Sequence, residues 1–242
     1  MIQKVTLIVL NIFDYFHKKK IFRFLKIKNL ANFDIFFDIG AHTGETISSF
    51  GKNLNLKVIY SFEASPISFQ ILNNNLKKIQ STIPNSQINI ENFAVGSLSK
   101  KIKIKHFIES SSSTIKKINT SSKYFKKKKK LISSLNNPNY FKEIDVNQIS
   151  LDEYIIQKNI KRIDFLKIDT EGSEYDVIMG VTKNLKNIKL ILFEHHFDDM
   201  ISKEYKFSHI NNLLIQNNFK QIFKIKMPFR KTFEYIYLNK TY

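Results

Sequence analysis

The run Phe36-Phe37-Asp38-Ile39-Gly40-Ala41-His42-Thr43-Gly44-Glu45-Thr46 takes an apolar stretch to an acid and then opens on Gly-x-x-x-Gly. Ile35 to Ile39 reads as a buried strand, and Thr43 to Phe50 as the helix after it. In an open α/β sheet, ligands sit beyond the carboxyl ends of the strands, at this kind of turn. Gly40 and Gly44 let a ligand approach the backbone with no Cβ in the way. The chain has only six glycines and two stand here, so this loop is where backbone freedom is kept. It is not a dinucleotide fingerprint. Gly-x-Gly-x-x-Gly holds a pyrophosphate on amides and a helix N-terminus, whereas Ala41 and His42 follow the first glycine here and Asp38 precedes it.

A nucleoside ligand with no phosphate and one ammonium group fits that loop better. S-adenosyl-L-methionine is such a ligand, and Asp38 suits its ammonium or a nearby backbone amide. Outward from the loop, Tyr60-Ser61-Phe62-Glu63-Ala64-Ser65-Pro66 ends a second strand in an acid. Glu63 lies 19 positions beyond Gly44, where doubly wound folds place an acid on ribose hydroxyls. Alone it would pass for a surface acid at a strand end. After Asp38 and Gly44, in this order, it reads as a ligand contact.

Apolar runs alternate with helical patterns along the rest of the chain, as in β-α-β units around a parallel sheet. Lys57 to Phe62, Gln87 to Val95, Ile163 to Ile168 and Ile188 to Phe193 read as further strands. Helices are expected at Ser65 to Ile79, Leu151 to Gln157, Glu174 to Leu185 and Phe207 to Asn217. Phe219 to Lys226 and Phe233 to Leu238 read as a terminal antiparallel pair. Regularity breaks between about 100 and 150: Lys101 to Ile108 alternates like an edge strand, and Ser110 to Ser113 and Lys126 to Lys130 read as loop.

Two more strand ends carry chemistry. Ile163 to Glu174 repeats the order strand, acid, glycine, helix, and the stretch Asp164 to Asp199 holds eight of the 21 acids of a basic chain. That acidity argues for a polar small-molecule site there and against a polyanion groove. Asp169 and Glu171 can act as bases, orienters or metal ligands, although one acid alone would also serve as a helix N-cap. Ile191-Leu192-Phe193-Glu194-His195-His196 closes the fifth strand. Successive strand residues point to opposite faces, so at most one histidine faces the site. No metal ligand set is assigned.

The formal charge of +18 invites a nucleic-acid reading. Lys, Ile and Asn crowd every segment, however, which reads as drift in composition and a solvated lysine surface. The chain has no cysteine, which excludes disulfides and thiolate metal sites. Thr6 to Phe13 is too short to span a bilayer and lacks a small-residue cleavage site. Met1 to Leu30 reads as a basic amphipathic helix packed on the domain, with peripheral contact to an anionic membrane as the alternative. A cytoplasmic location follows as the expectation.

Taken together, these stretches resemble the FkbM family of methyltransferases. The resemblance rests on Asp38 to Thr46, Ser61 to Pro66, Asn92-Phe93-Ala94-Val95-Gly96, Ser150-Leu151-Asp152-Glu153-Tyr154 and Leu166 to Glu174. The family usually carries Asn where His42 stands and often Pro near Ala64. It implies a Rossmann-like class I methyltransferase fold in the α/β class, a seven-stranded mostly parallel sheet with a C-terminal antiparallel hairpin. Residues 34–242 would form that domain, after a basic helical extension at 1–33 and with an acceptor-side insertion at about 100–150. The cofactor set expected is Asp38, Gly40, His42, Thr43, Gly44, Glu45, Glu63, Ala64 and Ala94. Catalysis is expected from Glu171 as base, with Asp169 and His195 beside it. The implied acceptor is a hydroxyl of a sugar, glycan or other small metabolite.

Rival classes fit less well. Base-nitrogen methyltransferases carry Asn/Asp-Pro-Pro-aromatic after the fourth strand, where this chain has Asp169-Thr170-Glu171-Gly172. Asn137-Pro138-Asn139-Tyr140 matches only superficially, off any strand end. Intact Asp38, Gly40, Gly44 and Glu63 argue against a non-catalytic binding module. A nicotinamide dehydrogenase lacks its third glycine.

Overall fold

The computed structural model describes residues 2–107, 113–114, 116–122, 125–126, 141–228 and 230–242. In chain order these form α1 (Ile2–Ile27), β1 (Asn32–Ile39), α2 (Glu45–Asn53), β2 (Asn55–Phe62), α3 (Pro66–Thr82), β3 (Gln87–Glu91), β4 (Ala94–Val95) and β5 (Lys100–Phe107). Then come β6 (Ser113–Thr114), β7 (Lys117–Ile118), β8 (Phe141–Ile149), α4 (Leu151–Gln157), β9 (Ile163–Ile168), α5 (Glu174–Met179) and a 3₁₀ turn at Thr182–Asn187. β10 (Ile188–His196), β11 (Ile201–Ser202), α6 (Phe207–Gln216), β12 (Phe219–Lys226) and β13 (Thr232–Asn239) complete the chain.

Seven strands make the central sheet in the order β3-β2-β1-β9-β10-β13-β12. Neighbours are parallel except β13, which runs antiparallel to both β10 and β12. This is the class I methyltransferase architecture expected above. Period-two alternation gives the central strands two apolar faces. Phe37, Leu166, Ile191 and Tyr237 bury one face under α4, α5 and α6. Phe36, Phe165, Leu192 and Ile236 bury the other under α1, α2 and α3. Strand order reverses at β1, so the crevice between the loops after β1 and β9 is the switch point where ligands bind. Ser65 caps α3 by accepting from the Ser68 amide, with Pro66 at the first helical position.

Several expectations change. The third strand ends at Glu91, and Ala94–Val95 leaves the main sheet to pair with β8. β5 is an inner strand of a second sheet, ordered β4-β8-β5-β6, and not an edge strand. β8, a nine-residue strand, stands where no element was expected, and Ser113 belongs to β6 and not to a loop. The helix after Gly172 stops at Met179 and a 3₁₀ turn takes over at Thr182–Asn187; Gly180 between them packs directly on the Gly96 carbonyl, where a Cβ would lie 2.0 Å away. Residues 110–112, 127–130 and 137–140, read as loops and as the superficial tetrapeptide, lie outside the described residues. The later part of α1 packs on the domain, with His17, Ile21, Phe22 and Leu25 buried. Among the described residues no helix is long and apolar enough to cross a membrane.

Candidate active site

The carboxyl ends of β1, β2 and β9 open on a cleft of about 290 Å³. The loop after β1 is tied to β2 through the Gly40 and Ala41 amides, which both donate to the Phe62 carbonyl at 2.9 Å. Gly40 adopts φ +88°, and a Cβ there would sit 1.9 Å from the Asp169 carbonyl oxygen. Only glycine fits, because that approach brings the β1 and β9 loops into contact.

Glu63 is the best-held acid of the cleft. Its Oε2 accepts the His42 amide at 2.8 Å and its Oε1 the Ser65 amide at 2.9 Å. It is only 4% exposed. Burial pushes its carboxyl up to about 7 against the pull of those two amides. Each oxygen accepts one bond and has a second lone pair to offer. Ala64 and Ala94 line the same cleft, with Phe62 and Phe93 as apolar walls.

His42 and Glu45 engage each other first. Glu45 accepts from the Thr43 hydroxyl at 2.7 Å and faces the His42 ring at 3.0 Å. Burial alone would raise Glu45, but the bonds from His42 and Thr43 bring it down to about 2. His42 and Glu45 reach the cleft, whereas Thr43 and Gly44 line a groove on the outer side of the loop.

Asp38 does not line the cleft. It is fully buried on the α1–α2 face, in register with Lys167 of β9, whose Nζ lies 3.2 Å from it. Burial pushes Asp38 up to about 6. The expected ammonium contact is thus taken by a lysine of the chain itself. The same Nζ reaches Thr46 Oγ1 at 3.1 Å and Asp169 at 3.4 Å. Asp169 sits at the cleft wall, and although burial raises it, Lys167 holds it below the ordinary carboxylate range.

Glu171 also lines the cleft, in a left-handed turn at φ 50°. Backbone strain of this kind persists only where neighbours enforce it. The Thr114 hydroxyl donates to the Glu171 carbonyl at 2.9 Å. Buried Glu174 accepts the Gly172 amide at 2.9 Å, the Thr170 hydroxyl at 3.3 Å and the Tyr205 hydroxyl.

The expectation for His195 is corrected. Alternation along β10 turns it to the α6 face, between Phe197, Tyr205 and Phe207, and burial lowers its ring to about 3. His196 takes the site side, 3.5 Å from Glu171 and 3.1 Å from Glu194. Burial alone would lower His196, but Asp198, Glu194 and Glu171 hold it up to about 12. These carboxylates favour its protonated form. Sequence reasoning also missed Lys18, Thr46, Thr114 and Lys167, which come together only through tertiary packing.

Residues 38–221 match the Methyltransferase FkbM domain. The chain belongs to the FkbM methyltransferase family. A methyltransferase FkbM structure from Methylobacillus flagellatus aligns at 15% identity and TM-score 0.50, over 84% of this chain and 43% of that one. The chain therefore spans under half the length of that relative. TrmK from M. capricolum, in complex with S-adenosylhomocysteine, aligns at 12% identity and TM-score 0.50, over 90% of this chain and 68% of that one. Magnesium protoporphyrin IX methyltransferase from Synechocystis, with bound S-adenosylmethionine, aligns at 6% identity and TM-score 0.53, over 95% and 81%. At such identities the structures share the fold of this FkbM member. A comparison with curated proteins gives no match.

Proposed function

We propose that this FkbM member transfers the methyl group of S-adenosyl-L-methionine to a hydroxyl oxygen of a sugar, glycan or other small metabolite in the cytoplasm. The observation that carries the reading is Glu63. A buried carboxylate at the switch point, with one lone pair left on each oxygen, fits a ribose diol. The close approach at Gly40 and the apolar walls Phe62 and Phe93 fit the rest of a nucleoside. When bound, the sulfonium supplies a methyl group for in-line displacement, so positioning provides much of the rate.

The chain's own groups do the remaining work. Glu63 holds the ribose. Asp169, fixed by Lys167, marks the wall where the two loops meet. Glu171 takes the proton from the acceptor hydroxyl as the oxygen is methylated, and the His196 imidazolium steadies its carboxylate. Carboxylates hold His196 in its protonated form and His195 faces away, which favours Glu171 over either histidine of β10 as the proton acceptor. Incubation with labelled methyl donor and separate pools of glycans, lipids and RNA tests the reading. Label in a glycan or small-molecule hydroxyl is expected, and label in RNA alone would overturn it.

A further inference from the structure

α1 buries His17, Ile21, Phe22 and Leu25 against the domain. A helix packed in this way ordinarily turns a polar face to solvent. The outer face of α1 is mixed instead. Phe16, Lys20, Arg23 and Ile27 follow one another at helical spacing on the side away from the domain, and Phe16 and Ile27 are 54% and 68% exposed. Tyr15 flanks this stripe, 57% exposed, with the Lys19 ammonium over its ring. From Tyr15 to Leu30 the chain carries Lys18, Lys19, Lys20, Arg23, Lys26 and Lys28 and no acid. A groove of about 550 Å³ between α1, α2 and α3 adds Lys52 and Lys78 to Lys18 and Lys19. Its one lining acid, Glu45, is already engaged by His42 and Thr43. Among the described residues Lys19, Lys52 and Lys78 form no ion pair. On the same side of the sheet α3 leaves Ile67 and Ile71 exposed.

We infer that this face docks on an anionic phospholipid surface, with α1 lying in the plane of the interface. Its outer apolar side chains reach the acyl boundary, and its cations stay among the headgroup phosphates. Lysine and arginine suit that position because their stems lie along apolar surface while their charged ends remain in water. The mixture decides the occupant. RNA would engage the cations, but it offers nothing to the aliphatic Ile27, Ile67 and Ile71. A second copy of the chain would set cation against cation. Among the described residues no helix is long and apolar enough to cross a membrane, so α1 lies on the bilayer and does not span it. Lys18 of the same helix lines the cleft. The cleft wall therefore stands within about one helix diameter, roughly 10–12 Å, of the lipid surface.

Sedimentation of the full chain with phosphatidylcholine vesicles, with and without about a third of phosphatidylglycerol, tests the inference. Binding is expected to the anionic vesicles alone. It should weaken between about 0.1 M and about 1 M salt, as the screening length shrinks from about 10 Å to about 3 Å. Each cation near an anionic surface contributes about fivefold, so Lys20→Gln with Arg23→Gln should weaken binding about 25-fold. Phe16→Ser with Ile27→Ser keeps every charge and should still weaken vesicle binding by about tenfold or more. All four positions are exposed, so the urea-unfolding midpoints should match the wild type. No binding to the anionic vesicles, equal binding to the neutral ones, or full binding by either folded variant would overturn the inference. So would RNA bound more tightly than the anionic vesicles and indifferent to the two serines.

Discussion

Replacing Glu63 by Gln probes the cofactor contact with almost no change in shape. The variant keeps one oxygen for one backbone amide, but its NH₂ group faces the other, so either His42 or Ser65 loses its acceptor. One ribose hydroxyl loses a charged partner as well. A hydrogen bond to a charged group contributes about 1.5–3 kcal/mol, so S-adenosylhomocysteine affinity should fall by about 10- to 150-fold. Calorimetry at pH 8 gives the number. A second arm uses pH. Burial has raised the Glu63 carboxyl from 4.5 to about 7, and two hydroxyl donors favour the anion, so binding expels a proton. Affinity must therefore rise with pH through 7 and level off above it. At pH 6 only about a tenth of the carboxyls are ionised, which weakens wild-type binding about tenfold relative to pH 8. Glu63→Gln should show no such slope. An affinity within twofold of wild type, or a wild-type affinity flat from pH 6 to pH 8, would refute the assignment of Glu63 to the ribose.

Glu171→Gln should leave S-adenosylhomocysteine affinity intact and lower kcat by about 10²- to 10⁴-fold, the usual worth of a positioned base; a loss of affinity instead would make Glu171 a cofactor or structural residue. In ring-nitrogen NMR, His195 should stay neutral down to about pH 4 and His196 should stay protonated up to at least pH 9, because burial lowers the first to about 3 and carboxylates hold the second up to about 12. Joint titration near 6.5 would dismiss the orienting role of His196. Gly40→Ala should cost at least about 2 kcal/mol in urea unfolding, from the left-handed φ and from the approach to the Asp169 carbonyl; an unchanged midpoint would mean that the two loops are not in contact.

The parts of the fold written in local pattern were legible. β1, β2 and β9 each run from an apolar stretch to an acid, and the bounds of β9, α4 and β12 fall where the periodicity put them. β8 was missed because Phe141-Lys-Glu-Ile-Asp-Val-Asn-Gln-Ile149 buries few side chains beyond its last residues, so its alternation is faint amid abundant Lys and Asn. β3 was overrun because Phe93 and Ala94 continue the apolar run while the backbone crosses to the second sheet. Within the site, the place of Glu63 at the end of β2 was readable from its spacing after the Asp38–Gly44 loop. The fate of Asp38 was not, since it depends on strand register with Lys167, and the choice between His195 and His196 depends on the phase of alternation in β10. Lys18 and Thr114 arrive from distant segments and leave no local signal.

The contact between Gly40 and the Asp169 carbonyl works as a gear. One tooth belongs to the loop after β1, and the other belongs to the turn that carries Glu171. With no side chain between them, neither loop can shift by an ångström without displacing the other. On the proposed reading, filling the nucleoside end would set the position of Glu171 before any acceptor molecule arrives, and a substitution that loosens one loop would blunt the other through bare backbone.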